Sequence, residues 1–208
     1  MPSRIEESIP SFPDDVPTAN IYTVDFDRLK DGDPEEARKV YEASRGYGFF
    51  YLSNTHVDYD FMFDLANETF KLPLDEKMKY EMGNTGRYFG YKMSGSNYVD
   101  SKGTPDQSEF YNVSKDDVMG NGQYKEHPLE HPSTIERRRG ELEGFMSSAH
   151  RVVLVVLKVL SEQLGLGPDV LPDLHKLDRV GGDQARVTHA PPVSADTITL
   201  GEHTGECD

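Results

Sequence analysis

The chain has 208 residues, with 37 acidic against 22 basic side chains and a net charge of −15. A field of that sign repels phosphate backbones and anionic lipid, so neither nucleic acid nor a membrane surface is expected as a partner. The single cysteine, Cys207, excludes an intrachain disulfide framework, and the length suits one domain with a real core.

Residues 1–20 carry four prolines and no periodicity, and read as an extended leader without the apolar run of a secretion signal. A cytoplasmic protein is therefore expected. "IYTVDF" alternates and predicts a first strand over Ile21–Phe26. Asp33 can cap the helix that follows, Pro34 fits its first turn, and Glu35 and Glu36 suit the positive end of its dipole. Its inner face is expected from Ala37, Val40, Tyr41 and Ser44, and Gly46 and Gly48 end it. "FFYLSN" is a continuous apolar-aromatic run of the kind found in buried strands.

A helix over about Tyr59–Phe70 follows, and "LPLDEKMKY" restarts one after Pro73. Gly83–Gly122 reads as a long loop with two isolated strand-like pieces, "RYFGYK" and "SEFYNV"; loops of this kind often carry substrate. The longest helix is predicted over about Ser133–Leu164, with an apolar face that includes Leu142, Met146, Val153, Leu157 and Leu164. On that reading Val153→Asp or Leu157→Asp blocks soluble expression, at ~1.5–3 kcal/mol per buried aliphatic side chain. "RRR" at Arg137–Arg139 reads as a solvated helix face. The longest apolar run, Val152–Leu157, is short against the ~20 residues a membrane span needs. "PDVLPDLHKL" suggests one short helix, "QARVTH" a strand stopped by Pro191 and Pro192, and "TITLGEHT" a last strand. These last strands lack partners to close a sheet, which leaves an edge expected to aggregate or dimerise.

Five pieces occur in an order that resembles one family. They are "YTVDF", "GYGFFYLSNTHV", "FKLPLDEKMKY", "ARVTHAPP" and "LGEHT", spread over residues 21–204. Together they are similar to the isopenicillin N synthase-like non-haem Fe(II), 2-oxoglutarate-dependent dioxygenases. The resemblance implies an α+β fold: a helical N-terminal region, residues 21–180, leading into the first strands of an incomplete double-stranded β-helix (jelly-roll) core, residues 181–208. It also implies Fe(II), 2-oxoglutarate and a small-molecule substrate in the complete protein. The family's iron is held by two His and one carboxylate, which leaves open positions on the metal.

Carried over by position, His203 matches the first metal ligand, and Thr188 stands where plant members often have a cosubstrate-contacting Asn. Gly205 occupies the carboxylate position, and Ala190 replaces a Tyr. Glu206 falls on the opposite face of the strand. The chain alone is therefore expected to be inactive. Two alternatives remain: a non-catalytic binding or partner module, and a halogenase-like variant in which Gly205 makes room for chloride. One account of "GECD" is read-through of an intron, since Gly-Glu-Cys can be encoded GGT-GAG-TGT, which contains a splice-donor-like GTGAGT.

Six further histidines lack a motif. His127 and His131 share an i, i+4 spacing, but Pro128 and Pro132 oppose a helix there and a surface loop is expected. His56, His150, His175 and His189 read as loop or structural residues.

Overall fold

The computed structural model describes residue 13, residues 15–83 and residues 88–192. The predicted strand "TITLGEHT", with His203, Gly205 and Cys207, lies outside the described residues. The chain divides into two compact units, Met1–Asp60 with Ser147–Leu177, and Phe61–Met146 with Asp178–Asp208.

In the first unit, β1 (Thr23–Asp25) and β2 (Tyr51–Ser53) pair in parallel, with Val24 opposite Leu52. The chain passes from β1 straight into α1 (Phe26–Lys30), capped by the Asp25 carboxylate on the Arg28 N–H. The predicted first strand is thus shorter, because Phe26 already belongs to a helix. Asp33 caps α2 (Pro34–Arg45) as expected, accepting from the N–H groups of Glu35 and Glu36.

The inner face of α2 is Glu36, Val40 and Ala43, while Ser44 is exposed and bonds back to the Val40 carbonyl. Glu36 is fully buried: it accepts from the Asp25 N–H at 2.9 Å and from Lys39 at 2.9 Å. The unit's core joins Val24, Leu29 and Val40 to Val159, with Phe50 and Leu52 half-buried beside them. Phe49 and Tyr51 are 70% and 62% exposed, so "FFYLSN" alternates and is not the buried strand its composition suggests.

The second unit is built on an antiparallel sheet in the order β3–β4–β5, formed by Gly90–Lys92, Glu109–Ser114 and Gln184–His189. The two pieces read as isolated strands are therefore neighbours, joined to the strand "QARVTH". One face carries the row Tyr91, Tyr111 and Val187, with Val113 and Ala185 beside it, all buried. These pack with Phe61 and Leu65 of α3 (Tyr59–Phe70), Ile135 of α6 (Ser133–Glu136), and Leu142 and Met146 of α7 (Arg139–Gln163). Between them in sequence lie α4 (Leu74–Met78) and α5 (Lys115–Met119). The structure is thus mixed helix and sheet.

Gly90 enters β3 at φ +118°, and a Cβ there would collide with the Tyr80 carbonyl oxygen, which accepts from the Tyr91 N–H. The predicted long helix is two helices, interrupted at Arg137 and Arg138. By length and composition alone α7 could cross a membrane, but it contributes Leu142 and Met146 to one core and Val159 to the other. "PDVLPDLHKL" forms only a 3-10 turn, Pro172–Leu174.

The face of α7 differs from the periodicity reading at its middle, and so does the residue just past its end: Val153 is 44% and Leu164 57% exposed. The "VVLVVL" run is apolar on every side, so periodicity cannot choose among its faces. Val153→Asp is accordingly expected to shift stability by no more than about 1 kcal/mol. Leu142→Ala should cost about 2–5 kcal/mol. Urea unfolding followed by circular dichroism compares the two; equal losses would restore the periodicity reading.

Candidate functional site

The sheet of the second unit has two chemically different faces. Towards the helices, below the Tyr91–Tyr111–Val187 row, Glu109 and His189 stand as a directly opposed cross-strand pair. The Glu109 carboxylate accepts from Lys77 Nζ at 2.7 Å, from the Tyr91 hydroxyl at 2.5 Å and from His189 Nδ1 at 2.9 Å. The His189 ring stacks on Phe70, with centroids 5.5 Å apart. Burial pushes the Glu109 carboxyl up, but the bonds from Lys77, Tyr91 and His189 outweigh it and hold the pKa below the usual range. Burial, reinforced by Glu109, pushes the Tyr91 phenol up. His189 thus serves to fix the end of β5.

The other face carries Thr188, Phe110 and Lys92 in one row across the three strands, and Arg186 beside Asn112 in the next. Thr188, the expected cosubstrate contact, is exposed here, while its neighbour Val187 is buried. Lys92 is buried and neutralised by Asp106, and also donates to the Ser108 carbonyl at 2.8 Å. The Arg186 guanidinium lies over the Phe110 ring, 4.3 Å from its centroid, and Lys92 Nζ lies 5.7 Å from the same centroid. Arg186 and Phe110 were not singled out in the sequence. The signal was there: in "QARVTH" the polar positions 184, 186 and 188 alternate with apolar 185 and 187.

A third cluster lies deeper. Asp117, in α5, is buried and accepts from Arg139 at 2.8 and 2.9 Å, from the Leu129 N–H at 2.6 Å and from His131 Nε2 at 3.0 Å. With Nε2 donating, His131 Nδ1 accepts from the Tyr111 hydroxyl at 2.9 Å. His131 is therefore a buried link and not a surface-loop residue, whereas His127 is exposed as expected. The Arg run is also corrected. Arg139 neutralises Asp117, and Arg138 lies 4.5 Å from the Phe61 ring centroid while pairing with Glu141. Only Arg137, paired with Glu68, keeps a largely exposed side chain. His56 holds its loop by donating to Asp27 at 2.8 Å, and His150 bonds the His175 carbonyl at 3.2 Å. Among the described residues no group of three or more His, Cys, Asp and Glu side chains converges to hold a metal ion.

Residues 21–135, more than half of the chain, match the family described as "non-haem dioxygenase in morphine synthesis N-terminal". The chain belongs to this family of 2-oxoglutarate-dependent dioxygenases. It is 27% identical to the 2-oxoglutarate-dependent dioxygenase gloE of Glarea lozoyensis, over 73% of this chain and 45% of the relative. It is 30% identical to frbH, of the same description, from a Dothideomycetidae species, over 78% of this chain and 48% of the relative.

The chain thus spans about half the length of these curated relatives. Its fold is that of a 2OG-Fe(II) oxygenase family protein from Caulobacter crescentus, with a TM-score of 0.68 at 23% identity over 86% of this chain and 59% of that one. A full-length Neurospora crassa protein, solved in complex with alpha-KG, gives 0.67 at 21% identity over 88% and 60%.

Burial pushes the Asp117 carboxyl up, but the hydrogen bonds from His131 and the Leu129 N–H, with the Arg139 charge, hold it below the carboxylate range. A depressed carboxyl stabilises the fold fully above its unfolded pKa of ~3.9 and loses that contribution as the pH falls through the folded value. Asp117→Asn should therefore destabilise the chain by about 1.5–3 kcal/mol at pH 7, because the charge-assisted hydrogen bonds from Arg139 are lost and that guanidinium, 28% exposed, keeps only Glu136 at 4.0 Å. The gap to wild type should narrow below about pH 4. Chemical unfolding between pH 3 and pH 7 measures this; a pH-independent gap would show that the carboxylate charge is not what holds the cluster.

Proposed function

We propose that the chain is the N-terminal portion of an Fe(II)/2-oxoglutarate-dependent oxidoreductase acting on a small molecule, and that it supplies scaffold and one wall of the ligand site. The family match over residues 21–135 carries this reading. The exposed Arg186–Thr188 face with Phe110 supports it, since it places polar and aromatic groups opposite the helical core. Solved neighbours support a small-molecule ligand class: the Neurospora crassa protein was also solved with alpha-KG and thymine, and JOX2 with 2OG, Fe and JA. On this reading Thr188 contacts the cosubstrate through its hydroxyl, and residues 181–208 begin the catalytic core.

The described residues do not supply the iron's ligand set. In the complete family the metal provides the oxidising chemistry; here only His203 stands at a ligand position, and Gly205 has no side chain to offer. One imidazole does not hold Fe(II) against water, because Fe(II) ranks low in affinity and needs several converging ligands. The isolated chain is therefore proposed to be inactive.

Succinate release with added Fe(II), ascorbate and 2-oxoglutarate tests this. The 208-residue chain, and its Gly205→Asp variant, should stay at the no-protein level. A fusion carrying Gly205→Asp and continued after it by the remaining half of gloE should rise above that level. Succinate from the chain alone, abolished by His203→Ala, would overturn the inactive reading.

A further inference from the structure

The chain balances most of its fixed cations against carboxylates, as Lys77, Lys92, Lys115 and Arg139 show. Arg186 is built differently. Its Nε donates to the Asn112 side-chain oxygen at 2.7 Å, and its Nη2 donates to the Tyr88 hydroxyl at 3.2 Å. Its guanidinium is held over the Phe110 ring. Both hydrogen-bond partners are neutral. Asn112 is itself fixed, fully buried and donating to the Tyr88 carbonyl at 3.1 Å.

An arginine ordinarily loses much side-chain freedom when it binds a ligand. Here that freedom is already lost. Of the five guanidinium N–H donors, two are used, which leaves both Nη1 protons and one on Nη2. The residue is exposed, two positions from Thr188 on the same face of β5. Close by, Gln184 donates weakly to the same Tyr88 hydroxyl at 3.5 Å, and its side-chain carbonyl oxygen is buried without a hydrogen-bond partner among the described residues. This polar surface is incomplete as it stands.

We propose that Arg186 is a preorganised carboxylate-binding residue, and that the ligand taken on this sheet face presents a carboxylate to its free Nη1–Nη2 edge, with Phe110 as the platform beneath. A guanidinium fork matches a carboxylate in a bidentate, charge-assisted pair, which neither a lysine nor a neutral donor reproduces. The carboxylate has two possible sources, the cosubstrate 2-oxoglutarate or a separate acid substrate. The inference rests on the proposed function for its choice of ligand face. Its test needs no iron and no turnover, so either can fail without the other.

The ¹⁵N-labelled 208-residue chain is titrated without metal with 2-oxoglutarate, with benzoate, and with the neutral isostere benzamide. The Arg186 Nε–H resonance, sheltered by its bond to Asn112, reports binding at the adjoining Nη1–Nη2 edge of the same guanidinium. A carboxylate should shift it, and benzamide should not. A shift with 2-oxoglutarate alone assigns the cosubstrate as source, and a shift with benzoate alone assigns the substrate. Arg186→Gln should weaken the responding acid at least tenfold, and Arg186→Lys should weaken it several-fold despite keeping the charge. Thermal melts confirm that both variants fold, and the wild-type resonance decides the matter if they do not. No shift with either acid, or equal shifts with benzamide, would overturn the proposal.

Discussion

The cross-strand row Tyr91–Tyr111–Val187 sets the register of the second unit's sheet, and every functional placement follows from it. A strand has a side-chain period of two, so fixing which residues meet the helices also fixes which do not. With Tyr111 fully buried against the helical side, Phe110 and Asn112 must point the other way. With Val187 buried, Arg186 and Thr188 must do so too. A slip of one residue in β4 would send Phe110 and Asn112 into the core and expose Tyr111, and the same slip in β5 would bury the Arg186 charge without a partner.

The buried polar groups belong to the same logic. Each large polar side chain on the helical side of the sheet ends in a matched partner: Tyr91 on Glu109, Tyr111 on His131, and His131 on Asp117. These links are too polar to be driven by the hydrophobic effect and too buried to be left open. They tie the start of α7 to α5, where Arg139 donates to both the carboxylate and the carbonyl of Asp117.

What could be read from the sequence was local. The α2 cap is written in four consecutive letters, "DPEE", and the structure builds it from those residues. The order of strand and helix signals pointed to the family, because its landmarks are short and contiguous. What escaped was non-local. Three adjacent arginines look like a solvated face until Asp117, 22 residues before Arg139, supplies a buried countercharge. "HPLEH" looks like a loop because its prolines break helices, yet a non-helical segment can still bury His131. "FFYLSN" misleads because composition cannot say whether a strand has a layer on both sides, and in the first unit β1 and β2 form a sheet of two. Of the site, Thr188 came from resemblance alone, and Arg186 lay unread in the strand's alternation.

Gly90 limits where β3 can lie. Any side chain brought to its position meets the Tyr80 carbonyl. If β3 were to shift by one residue against the Tyr80 segment, Phe89 or Tyr91 would be forced there and would clash with that oxygen. The glycine therefore fixes which residue of β3 lies against Tyr80, and through it which residue stands opposite Asn112 of β4.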